Sequence, residues 1–151
     1  MVRIIQTTNG GFTISKIKQI QGRIFGKLLV ENGINQFNGA QGRILFVLWN
    51  NDNIPISELS EKTGLAKTTM TSMLDRLESS KYVKREYNPA DRRKVNIQLT
   101  ETAIKMKKQY EKVSTHMNEI FYKNFSDKEI IIFEQYLTQI LNNLTNKEKE
   151  K

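Results

Sequence analysis

The sequence predicts a mainly α-helical fold with one small β-hairpin. Apolar residues recur every three or four positions along most of the chain, which is the period of an amphipathic helix. In the middle of the chain two short helical segments are joined by a tight turn at Gly64, and two segments with strand-like alternation follow them. This order predicts a winged helix-turn-helix, and we expect the helices on either side of it to mediate dimerisation.

The N-terminal region, residues 1–38, is predicted to hold one dimerisation helix over roughly residues 12–32. Gly33 supplies its stop, and the polar stretch 35–39 links it to the next helix. The apolar positions with helical spacing are Ile14, Ile17, Ile20, Ile24, Phe25, Leu28 and Leu29.

The winged helix-turn-helix region is predicted over residues 39–100 and opens with a helix that ends in the turn-rich stretch 50–53. Gly42 leaves the start of this helix open. Residues 54–56 can form only a stub of strand, because Pro55 has no amide hydrogen to donate to a ladder. The apolar residues of the helix are Ile44, Leu45, Val47, Leu48 and Trp49.

The helix-turn-helix itself follows this stub. Its first helix carries Leu59 and ends at Gly64, and its second begins near Lys67. We predict that the inward face of the second helix consists of Met70, Met73, Leu74 and Leu77. The wing comes next, with strands at 82–87 and 95–99 and a highly charged turn at 88–94.

Residues 101–145 are predicted to form the C-terminal dimerisation helices, and residues 146–151 a frayed tail. Thr100 caps the first of these helices, and Ser126 or Asp127 caps the last. The core sides are Met106, Tyr110, Val113, Met117, Ile120 and Phe121 in the first helix, then Ile130, Phe133, Leu137, Ile140, Leu141 and Leu144.

Composition excludes several classes of protein. The 151 residues fit one compact protomer, and the absence of cysteine excludes disulfides, thiolate nucleophiles and thiol-based redox sensing. His116 is the single histidine, so we expect no metal site and no cofactor. No apolar stretch approaches the roughly 18 residues of a membrane span, and the N-terminus is too polar for a signal peptide. We therefore expect a cytoplasmic protein with no membrane partner.

The charge indicates a polyanionic partner. The chain has 24 Lys and Arg against 16 Asp and Glu, a net charge of +8. Residues 62–94 hold nine of these basic residues and four acidic ones, so five of the eight net charges fall within the helix-turn-helix and the wing. Charge runs of this kind often form only a solvated surface, but here the predicted geometry favours binding to double-stranded DNA.

The outer face of the second helix is suited to a major groove. Short hydroxyl side chains in its N-terminal half can enter the groove, donate to phosphates and place threonine methyl groups against thymine. Asp75 would be repelled by phosphate, so we expect it on the half that leaves the groove, where its neighbours Arg76 and Glu78 indicate local pairing. The outward residues are Thr68, Ser72, Asp75 and Ser79, with Thr69, Thr71 and Arg76 on the flanks.

The wing supplies a second candidate contact. Asp91 and Arg93 lie two residues apart in the turn set by Asn88–Pro89, so the carboxylate can bind the guanidinium or a turn amide and fix the loop. An arginine at a hairpin tip suits a narrow minor groove, where the negative potential is deepest. The flanking Arg92 and Lys94 suit phosphates.

Several blocks of residues follow one another over about residues 40–103: Ile56-Ser57-Glu58-Leu59-Ser60, Gly64-Leu65-Ala66-Lys67, Met73-Leu74-Asp75-Arg76-Leu77-Glu78, Tyr82-Val83-Lys84-Arg85, Pro89-Ala90-Asp91-Arg92-Arg93-Lys94 and Leu99-Thr100. In this order they resemble the MarR family of bacterial transcription regulators. The resemblance implies a winged-helix homodimer that binds inverted-repeat promoter DNA, usually as a repressor released by a small ligand.

By position, the resemblance makes the stretch from Lys67 to Arg76 the recognition helix, Arg93 the wing arginine that enters the minor groove, and Asp91 the acid that orients it. Ala66 departs from the family, which often has Ser at this cap position. The candidate DNA-binding residues are therefore Lys67, Thr68, Thr69, Thr71, Ser72, Arg76, Asp91, Arg92, Arg93 and Lys94.

Other functions compete with this interpretation. An enzyme is disfavoured, because the chain has no Ser or Thr nucleophile with a histidine partner, no Walker loop and no Gly-x-Gly-x-x-Gly. A winged helix that binds another protein, or one that binds DNA nonspecifically without a ligand response, stays open. A small aromatic or phenolic molecule is a candidate effector, and the sequence identifies no residues that would bind it. The aromatic residues that could line a cavity, or more commonly pack as core, are Phe12, Phe37, Trp49, Tyr110 and Phe121.

Overall fold

The computed structural model describes residues 3–34, 37 and 39–150. Three positions of the predicted linker at 35–39, namely 35, 36 and 38, lie outside the described residues. The chain forms two compact units, residues 1–117 and 118–151. In chain order the elements are a 3-10 turn (Ile4–Gln6), α1 (Gly10–Glu31), α2 (Gly39–Asn50), β1 (Ile54–Pro55), α3 (Ile56–Thr63), α4 (Lys67–Ser79), β2 (Val83–Asn88), β3 (Asp91–Leu99), α5 (Glu101–Lys105), α6 (Lys107–Phe121) and α7 (Asp127–Lys149).

The first unit contains the predicted winged helix-turn-helix, which confirms the fold class. Helices α3 and α4 are joined by a short turn in which Gly64 adopts a left-handed conformation (φ 69°) that costs glycine little. The three strands form one antiparallel sheet in the order β1-β3-β2. Ile54 of β1 pairs with Ile97 of β3, so even the two-residue strand β1 is tied to the wing.

The core of the first unit is apolar and continuous, and it draws on every helix from α1 to α6. The fully buried side chains include Leu29, Ile34, Phe37, Ile44, Leu45, Leu48, Leu59, Met70, Leu74, Leu77, Val83 and Ile97. Ala103, Tyr110 and Val113 are also buried in it. Helix α5 and most of α6 therefore pack in the core of the first unit, and the predicted core-side residues Tyr110 and Val113 are buried there.

Gly42 is required where α2 passes the loop before it. A Cβ added at this position would collide with the carbonyl oxygen of Phe37, a backbone atom that cannot swing aside. Gly42 therefore allows α2 to lie close to the backbone of Phe37. The helix itself begins three residues before Gly42, at Gly39.

The aromatic residues divide between core and surface. Phe37 packs edge-on against Trp49 and Tyr82, with ring centroids 5.9 and 4.9 Å apart, and Trp49 lies 4.9 Å from Tyr110. The Trp49 indole Nε1 donates to the Ala103 carbonyl oxygen at 3.0 Å. Phe37, Trp49 and Tyr110 therefore form part of the core, whereas Phe12 is 72% exposed on α1.

The second unit consists of the end of α6 and the long helix α7. Ser126 is the cap of α7, accepting from the Glu129 amide at 3.2 Å while the Glu129 carboxylate accepts from the Ser126 amide at 2.9 Å. The Tyr122 hydroxyl donates to Glu134 Oε2 at 2.6 Å, and its ring contacts Phe133. No residue of α7 is buried within the part of the chain that the structure describes.

Two predicted helices differ from the structure. The single helix expected after Thr100 is broken at Met106, whose amide bonds to the Ala103 carbonyl three residues back in a tighter turn. Thr100 caps α5 as predicted. The tail predicted to fray from residue 146 instead continues α7 to Lys149, with Lys147 and Lys149 placed favourably at the negative end of the helix dipole.

Candidate nucleic-acid interface

Helix α4 presents the two faces that its sequence predicts. Met70, Leu74 and Leu77 are buried, and Met73 packs half-buried against them. The opposite face is exposed and carries Thr68, Ser72, Asp75 and Ser79. Leu77 and its neighbours thus hold the helix on the core while leaving a row of short polar side chains in solvent.

An open groove of about 460 Å³ runs along this outer face, lined by Lys67, Thr68, Thr71, Ser72 and Asp75. The Thr71 hydroxyl donates to the Lys67 carbonyl at 3.0 Å, which fixes its side chain on the helix. The cap residue Ala66 provides no side-chain hydrogen bond, so the amides of the first turn have no side-chain acceptor from that position. Thr69 is half-buried and Arg76 is exposed on the flank.

Asp75 pairs with Arg85, which corrects the local pairing expected from its neighbours Arg76 and Glu78. Arg85 Nη2 donates to Asp75 Oδ1 at 2.8 Å, and Arg85 Nη1 donates to Glu78 Oε1 at 2.7 Å. Burial alone would lower the pKa of Arg85, but its hydrogen bonds to the two carboxylates raise it above its ordinary value. The acidic half of α4 is therefore bridged to strand β2 instead of pairing within the helix.

Arg85 is the functional candidate that sequence reasoning missed. A usable signal was present: residues two apart on a strand share a face, and Arg85 is two residues from the buried Val83. Arg85 also pairs with the buried Ile97 across the ladder. A charged residue on the core-facing side of a strand requires partners, and the nearest acids in the sequence are on α4.

The wing contains a shift in strand register, and its basic residues lie at this shift, outside the paired part of the sheet. Tyr87 of β2 pairs with Val95 of β3, but the next residue, Asn88, pairs with Asp91. Three residues of β3 are therefore extra, and they are the basic run Arg92-Arg93-Lys94, which we call the basic bulge. All three are exposed. Bulges of this kind re-aim side chains away from the ladder.

The basic bulge corrects the predicted turn at 88–94. The turn proper is only Pro89–Ala90, with the Asn88 side-chain oxygen accepting from the Ala90 amide at 2.8 Å, and β3 begins directly at Asp91. Local composition suggested a long charged loop because three consecutive basic residues have no strand pattern. Strand β3 nevertheless continues through them from Asp91 to Leu99, and the paired residues on either side of them are Asp91 and Val95.

Within the wing, Asp91 binds Arg93 as the sequence predicted. Asp91 Oδ1 accepts from the Arg93 amide at 3.0 Å and from its Nε at 3.1 Å, and Oδ2 accepts from Nη2 at 3.3 Å. The hydrogen bonds from Arg93 lower the pKa of the Asp91 carboxyl. The Arg93 side chain is 92% exposed, so the guanidinium is orientated by Asp91 and remains accessible to a partner.

The ten predicted site residues thus fall into two groups, one on α4 and one on the wing, and Arg85 connects the elements that carry them. In the described ranges 3–34, 37 and 39–150, no three His, Asp or Glu side chains are grouped so that they could hold a metal ion. None of the helices that the structure describes is long and apolar enough to cross a bilayer.

A helix-turn-helix with an exposed hydroxyl face, followed by a basic hairpin, defines the class of winged-helix DNA-binding transcription regulators. The family model described as MarR family matches residues 37–95. The uncharacterized HTH-type transcriptional regulator YsmB of Bacillus subtilis is 33% identical over 115 residues, which cover 74% of this chain and 73% of YsmB. The chain belongs to the MarR family.

Two further relatives extend this comparison. The uncharacterized HTH-type transcriptional regulator YfiV of Bacillus subtilis is 42% identical over 66 residues, covering 44% of this chain. The chain spans less than half of YfiV, 41% of its length. The crystal structure of a MarR mutant from E. coli complexed with operator DNA has a TM-score of 0.78 and 25% identity, covering 93% of this chain and 99% of that one.

Proposed function

We propose that this protein is a homodimeric repressor that binds an inverted repeat in double-stranded promoter DNA and leaves it when a small ligand binds. The observation that carries the proposal is the basic bulge. Arg93 belongs to this bulge, is exposed to solvent and is orientated by Asp91. The bulge follows a helix-turn-helix whose outer face is lined by hydroxyl groups. The chemistry of a minor-groove arginine beside a major-groove helix accounts for both features together.

In this proposal the two groups of residues have separate tasks. The hydroxyls and methyls of Thr68, Thr69, Thr71 and Ser72 read base edges in the major groove. Arg93 enters the adjacent minor groove. The remaining cations position the protein on phosphates and carry no sequence information; they are Lys67, Arg76, Arg92 and Lys94.

The homodimer is supported by apolar surface that each unit leaves uncovered. Helix α1 exposes Phe12, Ile14, Ile17 and Ile20, and the 23-residue helix α7 buries none of its residues. The exposed apolar residues of α7 include Ile131, Ile132, Tyr136, Ile140, Leu141 and Leu144. A second copy of the chain can cover such faces symmetrically, which places two recognition helices roughly 34 Å apart on an inverted repeat.

The repressor role and release by a small aromatic or phenolic effector rest on the family resemblance alone. We also propose that the protein acts in the cytoplasm, where a regulator of this class meets chromosomal DNA. The packing of Phe37, Trp49 and Tyr110 against one another does not by itself provide a ligand cavity, so no effector-binding residue is assigned.

The proposal is tested by measuring binding to the DNA upstream of the protein's own gene and to a shuffled duplex, at two salt concentrations. We expect tight, selective binding that saturates at one dimer per inverted repeat, with Arg93→Glu abolishing it. Phenolic compounds are then screened for release of the complex. Equal and steeply salt-dependent binding to both duplexes would support a nonspecific DNA-binding protein. Absence of binding to either would support the protein-interaction alternative.

A second measurement tests the dimer. Leu141 is 61% exposed, so Leu141→Glu costs the single protomer little, whereas at a dimer interface it buries an unpaired charge. We expect this variant to sediment as a monomer and to lose operator binding, while the matched control Gln139→Glu remains dimeric. A Leu141→Glu protein that is still a dimer would contradict the assignment of α7 to the interface.

A further inference from the structure

A bridge of two hydrogen bonds connects the recognition helix to the wing. Arg85 lies on β2, and its two Nη atoms hold Asp75 and Glu78, which are three residues apart on α4 and therefore neighbours on one helix face. The guanidinium is planar and rigid, so holding one carboxylate on each Nη fixes the direction of α4 relative to the strand.

Arg85 is not itself placed to contact DNA. Its side chain is only 16% exposed and both Nη atoms are engaged with carboxylates. Reaching a phosphate would require it to break both bonds and leave two acidic side chains unpaired beside a polyanion. Its environment thus differs from that of Arg93, whose side chain is almost entirely in solvent.

We infer that Arg85 is a positioning residue for sequence recognition, which locks the hydroxyl face of α4 and the basic bulge of the wing into one fixed relative orientation. The inference rests on the proposed function. Strand β2 runs from Arg85 through Tyr87 into the hairpin that carries Arg93, so the angle at which β2 meets α4 sets the distance between the major-groove and minor-groove contacts. Selectivity for one sequence requires both contacts to fit at once, whereas nonspecific binding does not.

Arg85→Lys tests this with the charge unchanged. A single ammonium on a flexible stem cannot hold two carboxylates in a fixed fork. We expect the Kd for the inverted-repeat operator to rise about tenfold, the Kd for a shuffled duplex to stay within about twofold, and the salt dependence of binding to stay the same. Thermal unfolding confirms that the variant is folded.

The double variant Asp75→Asn/Glu78→Gln removes the partners and leaves Arg85 in place. Both acids are substantially exposed, so this variant carries the test if Arg85→Lys does not fold. Removing two negative charges near DNA strengthens nonspecific binding, so simple electrostatics predicts tighter binding to every duplex. Positioning predicts instead that the ratio of operator to shuffled affinity falls about tenfold. Glu61→Gln, an exposed acid on α3, is the charge control and should keep the wild-type ratio.

The outcomes separate this inference from the proposed function. A wild-type protein with no preference between the duplexes overturns the proposed function, and the inference with it. A wild-type preference that both variants keep overturns the inference alone. Equal loss of affinity for both duplexes in Arg85→Lys, with a changed salt dependence, would make Arg85 a phosphate contact and would also overturn it.

Discussion

The carboxylate of Asp91 accepts three hydrogen bonds from Arg93, one from its backbone amide and two from its guanidinium. The donor and acceptor are only two residues apart, and both belong to the irregular start of β3. Because Arg93 makes these bonds while remaining exposed, the pair restricts the rotamers of the arginine before any partner arrives. When the free protein already restricts these rotamers, less side-chain entropy is lost on binding and the affinity is higher.

Asp91→Asn is expected to weaken operator binding about tenfold, even though it removes a negative charge close to DNA. The amide is a poorer acceptor for the guanidinium, so Arg93 is less well orientated. The hydrogen bonds lower the pKa of Asp91, so the acid is ionised throughout the neutral range and the pair should persist there. Fluorescence anisotropy with operator and shuffled duplexes measures the effect.

Glu86→Gln is the matched control for Asp91→Asn. It removes the same charge from an exposed position on the other strand of the wing. If charge alone mattered, both variants would bind operator more tightly. Tighter operator binding by Asp91→Asn would therefore contradict an orienting role for the pair.

Arg93→Ala and Lys94→Ala are expected to weaken DNA binding in different ways. Arg93→Ala should weaken operator binding by about 1–3 kcal/mol, and the loss should depend on the sequence that narrows the minor groove. Lys94→Ala should weaken binding to all sequences alike and flatten the salt slope by about one unit. Titrations at several salt concentrations separate the two, and normal operator binding by Arg93→Ala would exclude the wing contact.

Gly42→Ala should destabilise the protein by about 1–3 kcal/mol, the usual cost of forcing extra volume into a packed site. The added methyl would meet the Phe37 carbonyl, so either α2 or the preceding loop must shift. Urea unfolding measures the loss. Gly11→Ala is the control, since its Cβ would enter open space among the described residues, and it should not destabilise. Equal stability of the two variants would mean that the loop moves freely.

The Tyr122 hydroxyl is expected to make the stability of the fold depend on pH in the alkaline range. Burial and the hydrogen bond to Glu134 raise the pKa of Tyr122 to about 12. Because the folded value exceeds the value of about 10 for an unfolded chain, the stabilisation is complete below pH 10 and is lost as the pH rises towards 12. Tyr122→Phe should therefore lose stability less steeply than wild type in this range.

Urea unfolding at a series of pH values between 8 and 12 checks this expectation. Tyr136→Phe, which removes an exposed tyrosine of the same unit, should keep the wild-type dependence. Identical pH profiles for wild type and Tyr122→Phe would show that the phenol does not couple to folding.

Local patterns were sufficient for much of the fold. The apolar period located α1 and both faces of α4, Gly64 ended α3, and Thr100 and Ser126 marked two helix starts. Each of these features depends on residues within about four positions of one another, where propensity and capping act. The Asp91–Arg93 pair was predictable for the same reason.

The remaining features depend on contacts between distant residues. The basic bulge exists because β2 and β3 pair on both sides of it, which no run of three basic residues reveals. The Arg85 bridge joins positions ten and seven residues apart through a turn. The break at Met106 lies beside Ala103, which is buried in the core with Tyr110.

The basic bulge also bears on how such a regulator can change its target. Its three residues stand outside the regular pairing of the sheet and are exposed, whereas positions 95–99 keep register and bury Ile97 and Leu99. In the proposed function, substitution of Arg93 can alter the preferred minor-groove sequence at little expense to folding, because no core contact is exchanged. Among relatives that bind different operators, we therefore expect sequence changes at the tip of the wing that the fold tolerates.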